Sequence, residues 1–240
     1  MEENNNINTP ISQNPADNTP KIVGAILLAG LMVAGAILLK GNRAPSPIPE
    51  ERNNTGAGAT QIRPVSKDDH IIGNLNAKVV IVEYSDLECP YCKAFHSTMH
   101  QVIENNKNVA WVYRHYPIPQ LHPRAIHEAE AAECAWEQGG NDAFWKYVDR
   151  VFEITPSNNG LPESELPKIA QYVGLDLTSF NSCLESGRYE EKVQNDVNDG
   201  NKAGVKGTPS SFILVNGKVV DTVPGAQSYD TVIKQLSGIK

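Results

Sequence analysis

The sequence predicts an α/β protein, and three observations carry that expectation. A continuous apolar, β-branched run in "AKVVIVEYS" (Ala77–Ser85) leads straight into a helical pattern, and a second strand-like run, "NVAWVYRHYP" (Asn108–Pro117), follows it. Roughly 95 residues of helical periodicity then separate this β-α-β unit from "SSFILVNGKVVDTV" and a closing helix over about Ser228–Leu236, a ββα unit. The 240 residues admit one or two domains with a sizeable core.

The chain divides by composition. Residues 1–21 are rich in Asn, Pro and Thr and hold too few large apolar side chains to repay the entropy of ordering, so they are expected to form a disordered tail. Ile22–Leu39, "IVGAILLAGLMVAGAILL", carries no charge and spans about 27 Å as a helix, against a hydrocarbon core of about 30 Å. A single transmembrane anchor is the expectation. A cleaved signal peptide is the alternative, opposed by the long, nearly uncharged leading segment and the lack of a small-x-small cleavage site in "LLKGNRAPSP". Residues 40–65, with Pro45, Pro47 and Pro49 alternating, read as a hydrated tether, and residues 66–240 as the folded domain. The net charge of −7 falls wholly on residues 66–240, which removes nucleic acid as a partner.

Each element of the domain has its own signal. The run of β-branched residues at Ala77–Ser85 suits a strand buried on both faces. Pro90 fits the first helical position, where its missing N–H would be unpaired anyway, so a helix is expected from Pro90 to about Glu104 with Cys89 as its N-cap. Asn216-Gly217 tolerates positive φ at both central positions and sets a hairpin turn. Between about residues 118 and 204, Gly, Pro and Asn punctuate four or five short helices.

Cys89 and Cys92 bracket Pro90-Tyr91. A thiol is a nucleophile only as thiolate, and a helix N-terminus favours that anion through unpaired N–H groups and the positive end of the helix dipole. Cys92, almost one turn into the helix, is placed to attack a mixed disulfide on Cys89, so the pair suits a reversible dithiol. A staple between residues three apart would remove little unfolded-state entropy. A non-catalytic metal-binding module is the rival, because Cys-x-x-Cys is half of a zinc site and His96 and His100 follow at helical spacing. No second Cys-x-x-Cys supports it, and His96 and His100 read as surface or packing residues.

"YSDLECPYC" together with "GVKGTPSSFILVNG" and the long helical insertion resembles the DsbA-like thioredoxin-fold thiol:disulfide oxidoreductases over residues 66–240. The resemblance implies a thioredoxin fold with an all-helical insertion. It also implies Cys89 as attacking thiol, Cys92 as resolving thiol, Pro209 as a cis-proline facing them with Thr208 before it, and Glu83 as a buried acid that relays the proton of Cys92. Relatives carry a second disulfide in the insertion, which implies a Cys134–Cys183 bridge; on the residues alone, two buried free thiols remain the alternative. Four cysteines in two pairs suit an oxidising compartment, which overrides the flank charges: Lys40 and Arg43 after the span would by themselves place the domain in the cytoplasm.

Asp86 and Glu88 are expected to oppose the Cys89 thiolate, and Tyr91, standing where the strongest oxidants have histidine, points to a milder redox poise. Trp111, Trp136 and Trp145 read as core, and His115, His122 and His127 as surface residues. The expectation is therefore a membrane-anchored, extracytoplasmic thiol:disulfide oxidoreductase, a monomer with no cofactor or resident metal. It would act on cysteine-containing secreted or envelope proteins and exchange electrons with a membrane redox partner. Oxidase, isomerase and reductase directions stay open, since the reduction potential and that partner set them.

Overall fold

β1 (His70–Ile72), β2 (Val79–Ser85), β3 (Val109–His115), β4 (Ser210–Val215) and β5 (Lys218–Pro224) form one sheet in the order β1-β3-β2-β4-β5. The computed structural model describes residues 61–74 and 76–239; the tail, the apolar run at 22–39 and most of the tether lie outside the described residues. Among the described residues no helix is long and apolar enough to cross a membrane.

Helix α1 (Pro90–Asn105) connects β2 to β3, which pair in parallel, while β4 adds antiparallel to β2 and β5 to β4. The β4–β5 turn has positive φ at Asn216 (50°) and Gly217 (76°), as the residue pair predicts. Side chains alternate across the sheet. Ile81 on one face packs with Phe95, Met99, Trp111 and Ile213, and Val82 and Tyr84 on the other with Ala110, Val112, Phe212 and Leu214. α1 turns Cys92, Phe95, His96, Met99, Val102 and Ile103 inward, a stripe at three- and four-residue spacing that seats it on the first face.

The insertion comprises α2 (Ala125–Ile154), a 3₁₀ turn (Glu163–Glu165), α3 (Leu166–Tyr172), α4 (Leu177–Glu185) and α5 (Glu190–Ala203). Two of the expected short helices run together as α2, broken only at Gly139 and Gly140, where Gly140 has φ 62° and ψ −151°. That conformation is open to glycine and strained for any other residue. Cys134 and Cys183 are bonded and link α2 to α4 across 49 residues, a closure of about 4 kcal/mol in chain entropy. Helix α6 (Tyr229–Ser237), capped by the Ser228 hydroxyl accepting from the Thr231 amide, closes the chain.

Two features depart from the hydrophobic pattern. β1 is only three residues long, and it is held as an edge strand by Asn141, whose amide side chain accepts from the Ile71 N–H at 2.7 Å and donates to its carbonyl at 2.6 Å. The end of the expected tether is docked on the domain: Arg63 reaches Asp196 at 2.6 Å and Asp69 at 2.8 Å, and Ile62 and Val65 pack on the second face. Beside it the buried Arg114 donates to both oxygens of Asp69 (2.9 and 3.1 Å) and to Asp199 at 2.8 Å, joining β3 to α5 and to the entering chain. Removing one member of such a buried network leaves the others unpaired, at a cost of about 3–5 kcal/mol.

α5 approaches the sheet through Gly200, where an added Cβ would lie 2.7 Å from the Tyr116 ring and 3.0 Å from that of Tyr84. Gly200→Ala gains up to about 1 kcal/mol of helix propensity but loses about 1–3 kcal/mol to overpacking. Denaturant unfolding should show a net loss of stability. An unchanged or raised midpoint would mean that the rings yield freely.

Candidate active site

β2 ends at Ser85, and Asp86-Leu87-Glu88 turn the chain so that Cys89 becomes the N-cap of α1 with extended φ/ψ (−76°, 122°). No side chain caps this end, so the first amides of the helix are left for the Cys89 sulfur. Across the site the Thr208–Pro209 bond is cis, and the Thr208 carbonyl accepts from Cys89 Sγ at 3.5 Å. Both Cys89 and Cys92 are free thiols and buried, Cys92 completely.

Their environments push the two thiols apart. A hydrogen bond from Cys92 does most to lower Cys89. Burial opposes it, and the backbone groups of Cys92 and Tyr91 assist it, bringing the pKa from an ordinary 9.0 down to about 6. Burial, then its bond to the Cys89 anion, holds Cys92 well above its ordinary value. The first sulfur is thus ready to attack, while the second needs a base.

Glu83 is the carboxyl whose charge acts on Cys92. It lies 1% exposed on the α1 side of β2, with Oε2 accepting from Trp111 Nε1 at 2.9 Å and Oε1 unpartnered. Burial raises its carboxyl to about 7 against the hydrogen bond from Trp111, the charge of Cys89 adds to the rise, and the charge of Glu83 in turn raises Cys92. Trp111 is therefore more than core: its N–H orients the acid.

The acids beside Cys89 are not free. Asp86 accepts from the Glu88 and Ile118 amides (2.9 Å each), and its Oδ2 lies 2.9 Å from His122 Nδ1. His122 is buried, not a surface residue. Burial alone would lower its pKa, but the bond and charge of Asp86, with the charges of Cys89 and Glu88, raise it above the ordinary value. The insertion thus supplies a histidine whose charge and that of Cys89 act on each other. Burial, helped by Asp86, also raises the Glu88 carboxyl, whose Oε2 accepts from the Arg124 amide at 3.3 Å. Glu128, with neither oxygen partnered, is lifted to about 8 by burial and then by Glu88 and Asp86. No sequence signal marks His122 or Glu128, because both are near the Asp86–Glu88 turn only through the fold.

Other expected residues lie elsewhere. His115 is buried with Nε2 3.1 Å from Glu133, which also meets His70 at 2.7 Å, so the surface reading fails for it; His127 is half-exposed. His96 and His100 turn to Asp149, and among the described residues neither Cys89 nor Cys92 joins a cluster of three ligating atoms. The metal module built on the two cysteines is not what the fold assembles.

A sheet of this topology, a dithiol at the N-terminus of the first helix and a facing cis-proline define the thioredoxin class. The Thioredoxin family model matches residues 65–235, and the chain belongs to that family, in the DsbA-like form with a helical insertion. Pseudomonas aeruginosa DsbA2 superposes with a TM-score of 0.62 at 28% identity, covering 70% of this chain and 93% of that one. BdbD from Bacillus subtilis gives 0.63 at 22% identity over 75% and 96%, a likeness of fold. Among curated proteins, the Na(+)/H(+) antiporter NhaA 3 of Salinispora tropica is 36% identical over 156 residues, 65% of this chain and 23% of the antiporter. The chain spans about a quarter of the length of the curated relatives it matches.

Alkylation of Cys89 should follow its thiolate with a midpoint near pH 6, and His122→Ala should raise that midpoint. A midpoint above 8, or one that His122→Ala leaves in place, would contradict this reading. The linked effect has a definite sign. A thiol depressed in the fold favours the folded reduced protein fully above its ordinary 9.0, and that advantage is gone once the pH falls below about 6.

Proposed function

We propose that the chain is a membrane-anchored, extracytoplasmic, monomeric thiol:disulfide oxidoreductase acting on cysteine-containing secreted or envelope proteins. The observation that carries this reading is the acidified Cys89 at a helix N-cap, facing the Thr208 carbonyl with a protonated Cys92 behind it. The Cys89 thiolate attacks one sulfur of a substrate disulfide, forms a mixed disulfide and expels the other sulfur as thiolate. Glu83 takes the proton of Cys92 as Cys92 attacks the Cys89 sulfur. The Cys89–Cys92 disulfide forms and the substrate leaves as a dithiol. Read backwards, the same steps oxidise a substrate dithiol, and a membrane redox partner resets the pair. The Thr208 and Pro209 backbone beside Cys89, just before β4, is where a substrate strand would pair.

The anchor rests on the uncharged run at 22–39, and the extracytoplasmic placement on the Cys134–Cys183 bond, which a reducing cytosol would not sustain. Cys92→Ser should accumulate mixed disulfides on Cys89, visible on non-reducing gels, and Cys89→Ser should form none. With Cys92 intact, Glu83→Gln should slow resolution by about 100-fold. Failure of Cys92→Ser to trap any protein would sink the proposal. For placement, a reporter active only outside the cytoplasm, fused after Lys240, should be active; activity of a cytoplasm-only reporter would reverse the topology.

A further inference from the structure

His96 and His100 stand one turn apart on α1, four and eight residues beyond Cys92, and Asp149 meets them from α2. His96 Nε2 lies 2.7 Å and His100 Nε2 2.9 Å from the same oxygen, Asp149 Oδ1, and the two ring nitrogens are 3.2 Å apart. Three Lewis-basic atoms thus form a triangle with edges of 2.7, 2.9 and 3.2 Å. Its circumradius is about 1.7 Å, less than a zinc–nitrogen bond of about 2.0–2.1 Å, so an ion bonded to all three corners would sit about 1 Å out of their plane. At such an ion the three edges subtend about 80–100°, tighter than the tetrahedral angle of about 109° and near the roughly 90° of an octahedral face, with the remaining positions free.

We propose that His96, His100 and Asp149 bind a divalent ion of the zinc class, tying the active-site helix α1 to the helical insertion. The three residues line a shallow surface cavity together with Lys93, Ser97, Phe152 and Glu153, where water can complete the shell. Lys93 keeps its charge but is drawn to the Thr155 and Glu153 carbonyls (2.6 and 3.4 Å) rather than to Asp149, and Arg150 is paired with Glu153 at 2.7 Å. The other histidine–carboxylate cluster, His70, His115 and Glu133, differs on this point, since the Lys192 ammonium stands 3.2 Å from the shared Glu133 oxygen and occupies the place of a cation. Two imidazoles and one carboxylate select zinc, copper(II) or nickel(II) over magnesium or calcium. His96 Nδ1 has no hydrogen-bond partner, so the ring lacks the outer bond that typically adds 10–100-fold to affinity; the site is of moderate strength.

The test uses the full chain in detergent with Cys89 and Cys92 oxidised to their disulfide, so that neither thiol can hold the metal. Calorimetric titration with zinc chloride should show one ion per chain and a raised unfolding midpoint, and magnesium at the same concentration neither. His100→Ala and Asp149→Asn, at partly exposed side chains, should each weaken zinc at least tenfold and leave thiol exchange within twofold of the parent. No saturable binding of zinc, copper(II) or nickel(II) up to millimolar concentration would overturn the proposal. So would zinc binding that both variants retain unchanged.

Discussion

The chemistry of the domain hangs on one junction, the five residues in which β2 stops and α1 begins. Because no side chain caps the helix, its first amides are left to the Cys89 sulfur, and because Pro90 starts the helix, no N–H is wasted at that position. The same helix carries Cys92 into the core, where burial keeps it protonated. One local geometry therefore separates two chemically identical groups into an acidified thiol and a buried one that keeps its proton. The parallel pairing of β2 with β3 then brings Trp111 beside Glu83, so the buried carboxyl is oriented by the sheet itself.

The helical insertion shapes the electrostatics of the junction as well as covering it. Its leading loop brings His122 to Asp86 and the Arg124 amide to Glu88, which offsets two acids that would otherwise oppose a thiolate beside them. Further along α2, Asp149 reaches back to His96 and His100 on the active-site helix. The Cys134–Cys183 bond and the Asn141 clamp on β1 hold the insertion to itself and to the sheet. Movement of the insertion would thus change the charge around Cys89 without touching either cysteine.

Much of this was legible in the sequence, for physical reasons. β2, α1, β3 and the β4–β5 hairpin each carry a periodicity or a turn residue pair that follows from backbone geometry. The placing of Glu83 and Pro209 was open only through family resemblance, since a lone acid in a strand and a Thr-Pro pair are unremarkable by themselves. β1 was hidden because three residues are too few for a pattern, and Arg63 because a docked arginine in a proline-rich stretch looks like any solvated one. His115 and His122 read as surface residues because their carboxylate partners, Glu133 and Asp86, are brought to them by tertiary packing. The Asp149 partner of His96 and His100 was out of reach for the same reason.

The central claim is that Cys89 is acidified moderately, between the extremes known for reactive thiols at helix N-termini, and that its pair with Cys92 is correspondingly a moderate oxidant. Equilibration of the full chain with glutathione buffers measures this directly. A potential of about −200 to −230 mV is the expected result. A value above about −140 mV, among the strongest oxidants, or no reversible exchange between the Cys89–Cys92 pair and glutathione, would contradict the account.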